Sequence, residues 1–154
     1  VLAYYEKAIE GIVAAEKESW KRDHESAVGC LEFEQIVREA NRLYRDMAET
    51  FDRVYDQALE LPEGEAKARI DRWLSMFQRV ERSFSGLISR LPAYEANGYQ
   101  VSGAEELRRN RNELARNLLS HEEFFSGEGF RRFTQEAVES HARGETEPMI
   151  EFGS

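Results

Sequence analysis

Three histidines, one cysteine and 30 carboxylates are the side chains of this sequence best suited to bind a metal or carry a reaction. A carboxylate-bridged metal pair in a helical protein draws on Glu-x-x-His, which sets both ligands on one inward face. The residues three before His24, His121 and His141 are Lys21, Leu118 and Val138, so no histidine has that partner. Neither His-x-x-x-His nor His-Glu-x-x-His occurs, and His141 with Glu145 falls at a helix end. The three histidines therefore read as separate surface or capping residues. Cys30 stands near Glu25, Glu32 and Glu34, which disfavour a thiolate, and it reads as buried filler. No Gly-x-x-x-x-Gly-Lys phosphate loop and no Gly-x-Ser-x-Gly elbow is present. Carboxylate pairs are too abundant to be diagnostic. The expectation is no catalytic residue, no metal and no cofactor.

Two clusters could bind a partner. Arg108, Arg109 and Arg111, with Arg116 behind them, form a basic run. The plain alternative is a solvated helix face, with Glu105 four before Arg109 and Glu113 close by. Phe124, Phe125 and Phe130, with Phe133, crowd around Gly127 and Gly129. They would either dock a small helical hairpin onto the core or form a recognition patch for another protein. Tyr44, Phe51, Trp73 and Phe77 are the alternative site, a ligand pocket between helices. Rings at helical spacing more often make core.

Long helices must position all of these. A first helix is expected from Leu2 to about His24, on Leu2, Tyr5, Ile9, Ile12, Val13 and Trp20, turning polar from Glu16 to Ser26. The register then breaks near Gly29, as a turn or kink; one helix running to residue 60 is the alternative. From Cys30 to Leu61 there is neither glycine nor proline, and Phe33, Val37, Ala40, Tyr44, Met47, Phe51, Val54, Ala58 and Leu61 alternate steps of four and three. At about 1.5 Å per residue this is a helix of roughly 45 Å. Pro62 stops it and can open the next element. A third helix is expected over about 63–90, with Gly86 letting a neighbour come close and Pro92 ending it. Residues 92–102 read as the one real loop, turning at Asn97-Gly98.

Ser102 with Glu105 spells a capping box opening a helix to about Leu119, and Ser120 with Glu123 repeats it before a short turn through Phe124-Phe125. A last helix is expected over about 130–142, with Gly144 as its cap. The expected fold is all-α: an antiparallel bundle of three long helices plus a smaller C-terminal helical pair. It would be one domain over residues 1–144 with a tail over 145–154, whose last four residues resemble a cloning remnant. Val1 in place of methionine suggests a processed or excised start.

The formal net charge is -9, and the first sixty residues hold 14 acidic against 8 basic side chains. Such a field repels phosphate backbones, so no nucleic acid is expected. No apolar run approaches the roughly 20 residues of a bilayer span, so no membrane is expected either. One cysteine excludes an internal disulfide framework, and the expected compartment is the cytoplasm. Arginine outnumbers lysine 17 to 4, which reads as codon usage of a GC-rich, bacterial genome. The expected function is a non-enzymatic helical interaction, scaffold or regulatory module. The alternative is a small-molecule sensing bundle. A homodimer is also expected, because the wide stripe around Phe33 and Phe51 calls for more cover than the half-polar first helix gives.

Overall fold

The stripe of steps four and three decides the architecture. In the computed structural model, which describes residues 2–21 and 26–124, four helices run α1 (Leu2–Lys21), α2 (Ala27–Ala58), α3 (Glu63–Ala96) and α4 (Ala104–Phe124). Among the described residues there is no strand, so the protein is all-α. The central pair is α2 and α3, and both α1 and α4 pack against each of them. Phe33, Val37, Ala40, Tyr44, Met47, Phe51, Tyr55 and Ala58 of α2 are buried against Ile70, Trp73, Phe77, Val80, Phe84 and Leu87 of α3. This is one continuous apolar cluster.

The break between the first two helices falls ahead of Gly29. Ser26, in extended conformation, caps α2 by accepting the Gly29 N–H at 3.0 Å, and Gly29 lies inside the helix. The two-helix reading holds, with the start set by a side-chain cap. Residues 59–61 tighten into a closing turn, with Leu61 N–H bonded to the Ala58 carbonyl. Pro62 then stands just before α3 as its N-cap.

The expected stop at Pro92 is wrong: α3 continues through it to Ala96. Pro92 faces solvent, where the carbonyl it cannot satisfy can bond water. Meanwhile Leu91 and Tyr94 are fully buried, and Phe33 stacks on Tyr94 at 4.6 Å between ring centres. That packing outweighs the missing hydrogen bond. The loop shrinks to residues 97–103. It opens with a Schellman motif, Tyr99 N–H to the Tyr94 carbonyl and Gly98 N–H to the Glu95 carbonyl, with Gly98 at φ 82°.

The expected capping box also fails. The Ser102 N–H is taken by Glu34 of α2 at 2.9 Å, not by Glu105. The cap position belongs to Gly103, whose carbonyl accepts the Leu107 N–H. Gly103 has φ 87°. A methyl carbon there would sit 3.2 Å from Val37 and 3.3 Å from Asn41, so this glycine serves both the turn and the close approach of α2. Asn41 donates to the Gly103 carbonyl at 3.3 Å and accepts from Asn110 at 3.1 Å. Both amides are buried.

The second expected capping box, Ser120 with Glu123, opens nothing, because α4 runs unbroken past it to Phe124. Leu107, Asn110, Leu114 and His121 are buried along α4, so its seam outlasts the polar Ser120. The expected final helix over 130–142, its Gly144 cap and the tail lie outside the described residues.

Candidate functional site

The arginines of α4 are drawn into pairs across helices. Arg108 bonds Glu95 of α3 at 2.8 Å. Arg111 bonds Glu81 at 3.1 Å and Ser85 at 3.3 Å, and Ser85 itself donates to Glu81 at 3.0 Å. Glu106 pairs with Arg45 of α2. The partners are therefore on α2 and α3, not the intrahelical Glu105 and Glu113. Arg109 and Arg116 are exposed, and Arg109 lines a cleft of 820 Å³ at the start of α4 with Glu95, Glu105, Glu106 and Arg108. Three carboxylates against two guanidiniums do not make that cleft a cradle for an anion.

Phe125, Phe130, Phe133 and the side chain of Phe124 lie outside the described residues, as do His24 and His141. Tyr44, Phe51, Trp73 and Phe77 come together, but as packing. Ring centres lie 5.5 Å apart for Phe51–Phe77, 6.0 Å for Phe51–Trp73 and 6.4 Å for Tyr44–Phe77. All four are buried, and burial pushes the Tyr44 phenol up to about 12. Burial, with Glu34 nearby, also raises the Cys30 thiol above its ordinary value, so the cysteine stays protonated and inert.

His121 was expected at the surface or at a helix end, and that is wrong. It is fully buried, edge-on to Phe51 at 5.9 Å, with Nδ1–H donating to the Asn117 carbonyl at 2.7 Å. Desolvation lowers its pKa. Among the described residues, no group of three or more His, Cys, Asp or Glu side chains is placed to hold a metal ion, and no helix is long and apolar enough to cross a membrane.

The half-polar end of α1 is buried through an ion pair. Glu16 accepts from Arg90 Nε at 2.6 Å, and the Arg90 guanidinium lies 4.3 Å from the centre of the Trp20 ring. A methyl group on Gly86 would meet the Glu16 carboxylate at 3.5 Å, an ordinary contact, so Gly86 lies beside Glu16 but a small side chain there would also fit.

The feature that sequence reading missed is a furrow between α1 and α2 on the outer surface. A cleft of 650 Å³ is lined by Tyr4, Ala8, Gly11 and Ile12 on one wall and Glu39, Arg42, Leu43 and Asp46 on the other. A second, of 290 Å³, continues it past Ala15 and Ser19 toward Glu32 and Gln35. Tyr4 is 68% exposed at its rim. The α1 wall carries no charge at positions 4, 8, 11 and 15, on a helix otherwise rich in Glu and Lys. That spacing was visible in the sequence, but small residues are silent in a search for apolar periodicity. No family model, curated protein or solved structure matches this chain.

Proposed function

We propose that this chain is a non-enzymatic helical interaction module that presents the α1–α2 furrow to a protein partner. The observation that carries the reading is the uncharged wall of Tyr4, Ala8, Gly11 and Ala15 facing the charged wall of Glu39, Arg42 and Asp46. Small residues on one helix let another helix approach closely, and a charged rim selects which one. The interior offers less to a ligand, because Tyr44, Phe51, Trp73 and Phe77 fill it ring against ring.

The argument for a homodimer changes. Phe33 and Phe51, the residues thought to lack cover, are each 1% exposed within one chain. The cover that was not counted is α4 over Phe51, through His121, and the stretch of α3 beyond Pro92 over Phe33, through Tyr94. A homodimer of this protein would therefore meet through the α1–α2 face. The test is a photo-crosslinking residue at Ala8, with Asn112 on the outer face of α4 as control. Adducts to another chain, its own copy included, that form from position 8 and not from 112 support the reading. Intermolecular adducts from 112 alone, or none from either site, remove it.

A further inference from the structure

We infer that the partner at the α1–α2 face is a second copy of this chain, with the two α1 helices side by side and antiparallel about a two-fold axis level with Ile12 and Val13. This rests on reading that face as a docking surface and names what docks there.

A two-fold pairing sets position i of one chain against position j of the other, and j against i. A helix stripe that suits such a pairing must match its own reverse. On α1, Tyr4, Lys7, Gly11, Ala14, Glu18 and Lys21 are all exposed and follow steps of three, four, three, four and three. They share one face over about 26 Å, and the spacing reads the same from either end. Pairing the stripe about its midpoint sets Tyr4 against the partner's Lys21, Lys7 against the partner's Glu18 and Gly11 against the partner's Ala14. A stripe shaped for an unrelated protein has no reason to match itself in this way.

Each rung suits its opposite. At the centre, glycine against alanine lets the helix axes close to about 8 Å. One rung out, an ammonium meets a carboxylate, and the symmetry makes that contact twice. Glu18 already holds Lys21 of its own helix at 3.7 Å, so the partner's Lys7 joins a pair that is in place. At the ends, an ammonium meets the ring of Tyr4. The whole chain carries a net charge of -9, which drives copies apart. This stripe, with Lys7, Glu18 and Lys21, is positive by one charge, and Glu6 and Glu10 beside it are turned to Arg79 of α3.

The α2 flank agrees with the same register. Tyr5 bonds Asp46, and Ser19 shares a cleft with Glu32, so α2 runs antiparallel to α1 and its Val28 and Leu31 stand level with the Trp20–Lys21 end. Val28, Leu31 and Tyr4 are 66%, 60% and 68% exposed, three of the four most exposed large apolar side chains among the described residues. They lie at opposite ends of the face in one chain. The pairing brings the partner's Tyr4 level with Val28 and Leu31, at both ends of the dimer.

The test is the oligomeric state of the full-length chain together with its register. Sedimentation should give a dimer at about 100 µM that dissociates on dilution. Lys7→Glu creates two like-charge rungs and should weaken the dimer about tenfold, and adding Glu18→Lys should restore it. A side chain at Gly11 starts in open space within one chain, so Gly11→Gln should keep the helical circular dichroism while also weakening the dimer. For the register, Gly11→Cys and Ala14→Cys chains are mixed and oxidised, Cys30 being buried and out of play. An 11–14 disulfide between chains should form several-fold faster than 11–11 or 14–14 in either variant alone. A monomer at that concentration, a dimer indifferent to Gly11→Gln, no rescue by the charge swap, or faster 11–11 and 14–14 links would each overturn the inference. A monomer whose position-8 adducts join it to a different protein keeps the docking face and removes the second copy; a monomer without such adducts removes both.

Discussion

Removing the Phe51 ring should cost more than almost any other single truncation in this fold. Phe51 is held by rings from three directions: Tyr55 on its own helix at 6.0 Å, Trp73 and Phe77 on α3 at 6.0 and 5.5 Å, and His121 on α4 at 5.9 Å. Because three helices meet there, no single one can close the gap without losing its other contacts. Phe51→Ala should lose about 4 kcal/mol, within the 3–5 kcal/mol typical of buried phenylalanines. With a urea slope near 1.5 kcal/mol per molar, the midpoint should fall by about 2.7 M. Helical circular dichroism and Trp73 fluorescence, which sits next to the void, should report one coincident transition. The loss should also be the same at 1 and 100 µM protein, since the ring is covered within one chain. A loss below about 1 kcal/mol would show that the ring is not core. A loss that shrinks on dilution would show that a second copy covers it, which would overturn the account of α4 as the cover.

Three further outcomes follow from the same contacts. Gly103→Ala should destabilise by about 1–3 kcal/mol, through its left-handed backbone and the crowding of Val37 and Asn41. Gly11→Ala, in an open helical site, should instead stabilise by up to about 1 kcal/mol, and chemical denaturation of the pair tests both signs. Arg90→Ala should cost about 1.5–3 kcal/mol, since it leaves the Glu16 carboxylate buried without its charged donor; Glu16→Gln in that background should recover part of the loss, and additive losses would refute the pairing.

His121 makes stability depend on pH. Its folded pKa is lowered by burial, so its stabilising contribution is complete above the unfolded value near 6.5 and is lost as pH falls below it, by up to 1.36 kcal/mol per pH unit. Denaturation at pH 8 and pH 5 should show a steeper acid loss in the native chain than in His121→Phe. Equal slopes would mean the imidazole is reachable by protons in the fold.

The helices and most of the core were legible because they depend on a repeating signal. The Phe33-to-Ala58 stripe of α2 needed only its own period. What escaped were places where one residue's role is set by another helix. Pro92 looks like a stop until Tyr94 is seen stacked on Phe33, and Ser102 looks like a capping box until Glu34 takes its N–H. Glu16 and Ser19 keep the three–four spacing of the Tyr5, Ile9 and Ile12 face, yet polar side chains hide it, and only Arg90, seventy-four residues on, explains the burial. His121 was misjudged for the same reason: a polar residue on a buried seam looks like the end of that seam. The candidate site was less legible still, because a furrow is made by what Ala8, Gly11 and Ala15 lack.

The paired amides of Asn41 and Asn110 bear on a different question, namely how many packings this chain can choose among. A seam of regular three–four steps is nearly indifferent to sliding by one turn, about 5.4 Å, since apolar rows meet apolar rows in either position. Sliding α4 along α2 would set Asn41 against leucine at 107 or 114 and strand Asn110 as well. Each buried amide without a partner costs about 1–3 kcal/mol. The hydrogen bond between them adds little to the depth of the native minimum. It raises the neighbouring minima instead, so an interface whose apolar rows would permit several registers has a single ground state.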